Sequence, residues 1–81
     1  MFLKGTFERG EVMRKWLKQI RIAQGIKQEE IAHSVDISRG YYANIERGEK
    51  TPSVEVARKI AAYLKFDWTK FFVQEKEEVN L

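Results

Sequence analysis

Between Lys27 and Arg47 lie two helix-length segments, each too short to hold its shape alone, joined by little more than Asp36 and Ile37. A join that tight rules out an antiparallel hairpin and forces the two helices to cross steeply. Helical spacing turns Ile31, Ala32 and Val35 inward from the segment Lys27–Val35, and Tyr42 and Ile45 inward from the next. Ala32 is small enough to let the helices approach, and Ile37 is placed to fill the space between them. Ser38 has the hydroxyl of a good N-cap, and Gly48 can end the later helix. The outer face of that helix presents Arg39, Gly40, Tyr41, Asn44 and Arg47 together. Arg and Asn are the side chains suited to the edges of guanine and adenine. Tyr41 is assigned outward because Tyr42 is in register with Ile45.

The rest of the chain reads as helices around this pair. From Glu11 to Gln24 an apolar stripe of Val12, Trp16, Ile20 and Ala23, with Met13 and Leu17 beside it, opposes Arg14, Lys15 and Lys18, and Gly25 stops it. Ser53 opens a fourth helix to Leu64, with Val54, Ala57, Ile60, Ala61 and Leu64 apolar. Asp67 can cap a short fifth that holds Trp68, Phe71 and Phe72. The expected fold is all-α, with five short helices in one domain over residues 11–72, an N-terminal extension over 1–10 and an acidic tail over 73–81.

At 81 residues there is room for one core. With no cysteine, disulfides and thiolate chemistry are excluded. No apolar run reaches the ~20 residues of a membrane span, and Met1–Gly5 lacks the apolar stretch of a leader, so a cytoplasmic, nucleoid-associated setting is expected. The net charge of +3 is modest, but its placement is informative: residues 11–72 hold 12 Lys/Arg against 8 Asp/Glu, whereas 73–81 are net acidic.

Residues Leu17 to Leu64 resemble the phage-repressor/Cro family of helix-turn-helix domains, the Xre family. The matching elements are Leu17-x-x-x-Arg21, Gly25-Ile26-x-Gln28-x-x-Ile31-Ala32, Val35, Ile37-Ser38 and Ile45-Glu46-x-Gly48. Pro52 and Ala57-x-x-Ile60-Ala61-x-x-Leu64 follow in order, without a gap. The resemblance implies a lambda-repressor-like domain with the helix-turn-helix at helices 2 and 3, binding double-stranded DNA as a repressor of bacterial or phage origin, dimeric on a palindromic operator. It implies base contacts from Arg39, Gly40, Tyr41 and Asn44. Phosphate contacts would come from Lys27, Gln28, Ser38, Arg47, Lys50 and Thr51. Arg21 and Glu46 match a structural ion pair between the first and third helices. In three places the chain departs from the pattern: Asp36 stands where glycine is usual, Lys27 replaces a Ser or Thr cap, and Gly40 puts no side chain at a position that commonly meets a base.

Other features have plainer explanations. His33, the single histidine, reads as a solvated surface residue, and Glu29-Glu30 as first-turn acids facing the helix dipole. Arg58-Lys59 is treated as a solvated face. Trp68, Phe71 and Phe72 either close the core or form a homodimer contact. No catalytic constellation is visible, so no enzyme, metal, cofactor or small-molecule ligand is expected. Two rival roles share the fold: a DNA-binding antitoxin whose toxin-binding segment lies in residues 1–10 or 73–81, and a protein-interaction module that no longer binds DNA.

Overall fold

A computed structural model describes residues 13–73. The extension over 1–10, Glu11, Val12 and the tail beyond Val73 lie outside the described residues. Four α-helices, α1 (Lys15–Ala23), α2 (Gln28–Ser34), α3 (Arg39–Glu46) and α4 (Val54–Leu64), are followed by a 3₁₀ helix at Trp68–Phe72, and no strand is present among the described residues. The expected fifth helix is thus a 3₁₀ helix of five residues. Asp67 does cap it, accepting from the Thr69 amide at 3.0 Å, but Val73 already returns to extended backbone.

Capping follows the sequence closely at α3 and α4. The Ser38 hydroxyl accepts from the Tyr41 amide at 3.0 Å, and the Ser53 hydroxyl accepts from the Val56 amide at 3.1 Å. Such caps contribute about 1 kcal/mol each. Lys27 stands at the N-cap of α2 and offers no side-chain bond, leaving Glu29 and Glu30 to meet the positive end of the helix. Between α2 and α3, Asp36 takes φ 63°, the left-handed region that glycine enters freely and Asp tolerates better than most residues. The turn then closes with the Ile37 amide donating to the Ala32 carbonyl at 3.0 Å.

Leu17, Ile31, Tyr42, Ile45, Ala57, Ile60 and Leu64 are fully enclosed, with Ala32, Val35 and Phe71 beside them. Ile37 packs half-buried against this core, in the place its position in the turn demands. Three expected inward residues face solvent instead: Met13, expected within a helix from Glu11, lies before the start of α1 and is 46% exposed. Ala23, in the last turn of α1, is exposed, and Val54, in the first turn of α4, is 49% exposed. Ala23 is the last residue of α1 and Val54 the first of α4, and periodicity alone does not say how much of a terminal turn is covered.

The aromatic residues of the 3₁₀ helix divide. Phe71 joins the core at 6% exposure, with ring centroids 5.3 Å from Trp16 and 5.6 Å from Phe66. Trp68 packs half-buried, and the Arg58 guanidinium lies 5.5 Å from its centroid, so Arg58 is more than a solvated charge. Phe72 remains 40% exposed. Among the described residues no helix is long and apolar enough to cross a membrane.

Candidate nucleic-acid interface

The face built by α2, the turn, α3 and the loop after it carries most of the side chains singled out by sequence. Arg39, Gly40, Lys27, Ser38, Arg47, Lys50 and Thr51 are exposed, and Gln28, Tyr41 and Asn44 are half-buried. Tyr41 does not stand free: one side of its ring packs on the core cluster, which fixes the direction of the remainder. A β-carbon at Gly40 would meet nothing within 4 Å. Glycine costs a helix up to ~1 kcal/mol relative to alanine, and no packing within the protein demands it here. A shallow open groove beside this face is lined by Arg21, Lys27, Gln28, Glu29 and Arg39.

Behind the face, Arg21 and Glu46 join α1 to α3. Arg21 Nε lies 2.6 Å from Glu46 Oε2, Nη2 donates to Oε1 at 3.3 Å, and Nη1 donates to the Ile26 carbonyl at 2.8 Å. The two residues are 8% and 4% exposed. Gln28 Nε2 donates to the same carboxylate at 3.0 Å, so the start of α2 is tied to the pair as well. The hydroxyl of buried Tyr42 lies in this environment without a hydrogen bond of good geometry. Burial above all, and then the nearby Glu46 carboxylate, push its pKa up. It remains a neutral phenol.

Burial alone would raise the Glu46 pKa, but hydrogen bonds from Arg21 and Gln28 and the attraction of Arg21 outweigh it and hold the carboxyl below its ordinary 4.5. A carboxyl that binds its proton less readily when folded contributes stability that is complete above the unfolded value. That contribution is lost as pH falls through the lower, folded value. Melting temperatures taken from about pH 6 to pH 3 should therefore drop below about pH 4.5, and Glu46→Gln should flatten that drop. An equally steep drop in E46Q would assign the acid loss to other carboxylates.

Arg14, expected on the solvent side of α1, lies half-buried against the end of α3. Its Nη1 donates to the Ile45 carbonyl at 2.7 Å and the Lys50 carbonyl at 3.2 Å, and its own amide donates to the Glu46 carbonyl at 2.8 Å. The guanidinium sits 5.6 Å from the Phe71 centroid. Desolvation lowers its pKa from an ordinary value high enough to leave the charge intact. An apolar periodicity cannot reveal such a contact; the only sequence signal is an arginine placed one turn before Leu17.

Residues 17–71, more than half the chain, match the helix-turn-helix family. The chain is 52% identical over 61 residues to an HTH-type transcriptional regulator, YqaF, of Bacillus subtilis, covering 75% of this chain and 80% of that protein. An HTH-type transcriptional regulator of Methanocaldococcus jannaschii is 32% identical over 66 residues, 82% of this chain and 100% of that one. The transcriptional regulator ClgR of Mycobacterium tuberculosis is 39% identical over 54 residues, 67% of this chain and 48% of its own length.

Proposed function

The chain belongs to the Cro/C1-type (Xre) helix-turn-helix family of DNA-binding transcriptional regulators, and from that membership we propose that it is a repressor acting as a homodimer on a palindromic operator in the cytoplasm. The observation that carries the proposal is the outer face of α3, where Arg39 and Gly40 are exposed and Tyr41 and Asn44 half-buried, with exposed Lys27, Ser38, Lys50 and Thr51 flanking it. In the major groove, Arg39, Tyr41 and Asn44 meet base edges, and the missing side chain at Gly40 lets the helix backbone come close to a base pair. Lys27, Ser38, Lys50 and Thr51, with the free amide hydrogen of Gln28, meet phosphates and set the register. A single module of this size makes few base contacts, so operator affinity comes from two copies on half-sites one turn, ~34 Å, apart. The surface left for pairing around the 3₁₀ helix is Phe72 and the open side of Trp68, since Phe71 is committed to the core. Repression then follows from excluding polymerase.

Two measurements test this. Selection from a random duplex pool should return a two-fold symmetric consensus; an asymmetric single site would remove the dimer. Affinity measured between about 50 and 300 mM salt should fall steeply, and Lys50→Ala and Lys27→Ala should each reduce the log–log slope by about 0.9 on every sequence tested. A slope that neither substitution changes takes both lysines off the phosphates.

A further inference from the structure

The last turn of α3 and the loop beyond it form a closed ring of contacts around Asn44. Gly48, at φ 81°, turns the chain back so that the Glu49 and Lys50 amides donate to the Asn44 carbonyl at 2.9 and 3.2 Å. The fold-back sets the Glu49 carboxylate beside Arg47, with Oε2 3.5 Å from Nε. Arg47 Nη2 in turn donates to Asn44 Oδ1. Each link on its own is an exposed contact of little energy. Together they share one backbone anchor, and the ring has no free end.

The chemistry of the ring settles the orientation of the Asn44 carboxamide. A guanidinium has five donors and no acceptor, so only the amide oxygen can face Arg47. The NH₂ group is then on the side away from Arg47. An asparagine that reads adenine bidentately needs both groups, the NH₂ for N7 and the oxygen for the N6 hydrogens. Here one of the oxygen's two lone pairs already accepts from a cation, which leaves it a poorer acceptor for the N6 hydrogens. Guanine, which shows two adjacent acceptors at N7 and O6, suits a group that leads with its NH₂, whereas adenine needs the oxygen as well.

We propose that Glu49 and Arg47 are positioning residues that hold the Asn44 oxygen toward the guanidinium and bias Asn44 toward donating, so that it prefers guanine to adenine at the base it faces. The proposal rests on the DNA-reading role of α3 argued above. It gives Arg47 a different task from the phosphate contact that the family resemblance implies, and it gives a task to Glu49, an acid whose charge opposes DNA.

The test selects duplex sites from a random pool with the full chain and with N44A, R47M and E49A. The column whose preference vanishes in N44A marks the base pair facing Asn44. In the unaltered chain that column should hold guanine, with adenine depleted at least about tenfold. R47M and E49A should each restore adenine at that column by several fold and leave the other columns unchanged. A purely structural role would lower affinity at all columns without altering their composition. Removing the Glu49 charge favours every phosphate contact, so column composition is the readout and affinity is not. Adenine at the marked column in the unaltered chain, or unchanged composition in both R47M and E49A, overturns the proposal while leaving α3 as the reader. Failure to enrich any duplex overturns the reading role and this inference with it.

Discussion

Glu46→Leu is expected to destabilise the domain by about 3–5 kcal/mol, because it strands the Arg21 guanidinium in a nearly closed site. Small domains have about 5–15 kcal/mol in total, and 1 kcal/mol moves the melting temperature of a domain this size by roughly 4–8 °C. The expected fall is therefore more than about 12 °C, and E46L should be partly unfolded at 37 °C. Arg21→Met leaves the carboxylate unpaired and should cost a similar amount; the Gln28 amide, half-exposed, can hydrate only part of it. The double variant R21M/E46L strands no charge and should recover most of the loss, since replacing a whole buried pair with apolar groups is often neutral. Urea titrations followed by far-ultraviolet circular dichroism measure all three. A loss under about 1 kcal/mol in either single variant, or a double variant as unstable as the sum of the singles, would show that the pair is solvated and incidental.

The second large effect is on recognition. Arg39→Ala and Asn44→Ala should each weaken binding to the selected operator by about 1–3 kcal/mol and leave binding to random duplex unchanged. Arg39 is exposed and the half-buried Asn44 side chain bonds exposed Arg47, so neither substitution should unfold the domain. The contrast with Lys50→Ala separates the two kinds of contact: a base reader loses specificity, and a phosphate contact loses affinity everywhere. Anisotropy titrations on the two duplexes would expose an error directly. Equal losses on both would make Arg39 and Asn44 part of the electrostatic grip.

What sequence could reveal divides along a physical line. Inward positions in mid-helix were legible because a 3.6-residue period needs only one buried face: Leu17, Ile31, Ala32, Tyr42, Ile45, Ala57, Ile60 and Leu64 are all enclosed. Ser38 and Ser53 were legible as caps because a hydroxyl before a helix has one obvious use. Periodicity failed at helix ends, where Ala23 and Val54 are exposed. It also failed on long cationic side chains, whose heads go where carbonyls and rings happen to be. Arg14 travels to the end of α3 and Arg58 lies on Trp68. The ring of Asn44, Arg47 and Glu49 was out of reach because it depends on where the loop after Gly48 folds back, and a glycine announces a turn without its destination.

The position of Arg14 has a consequence for how α3 behaves. A helix ordinarily frays from its last turn, where carbonyls face water and the negative pole is uncompensated. In this chain the Ile45 and Glu46 carbonyls are held from α1, by a residue 31 positions before Ile45, and a cation occupies that pole. The rod that would lie in the groove is clamped at its exit by the segment that precedes the whole motif. Slackness around Met13 and Arg14 would therefore be transmitted as blurred discrimination at the opposite end of the molecule's working surface, with no contact to DNA having changed.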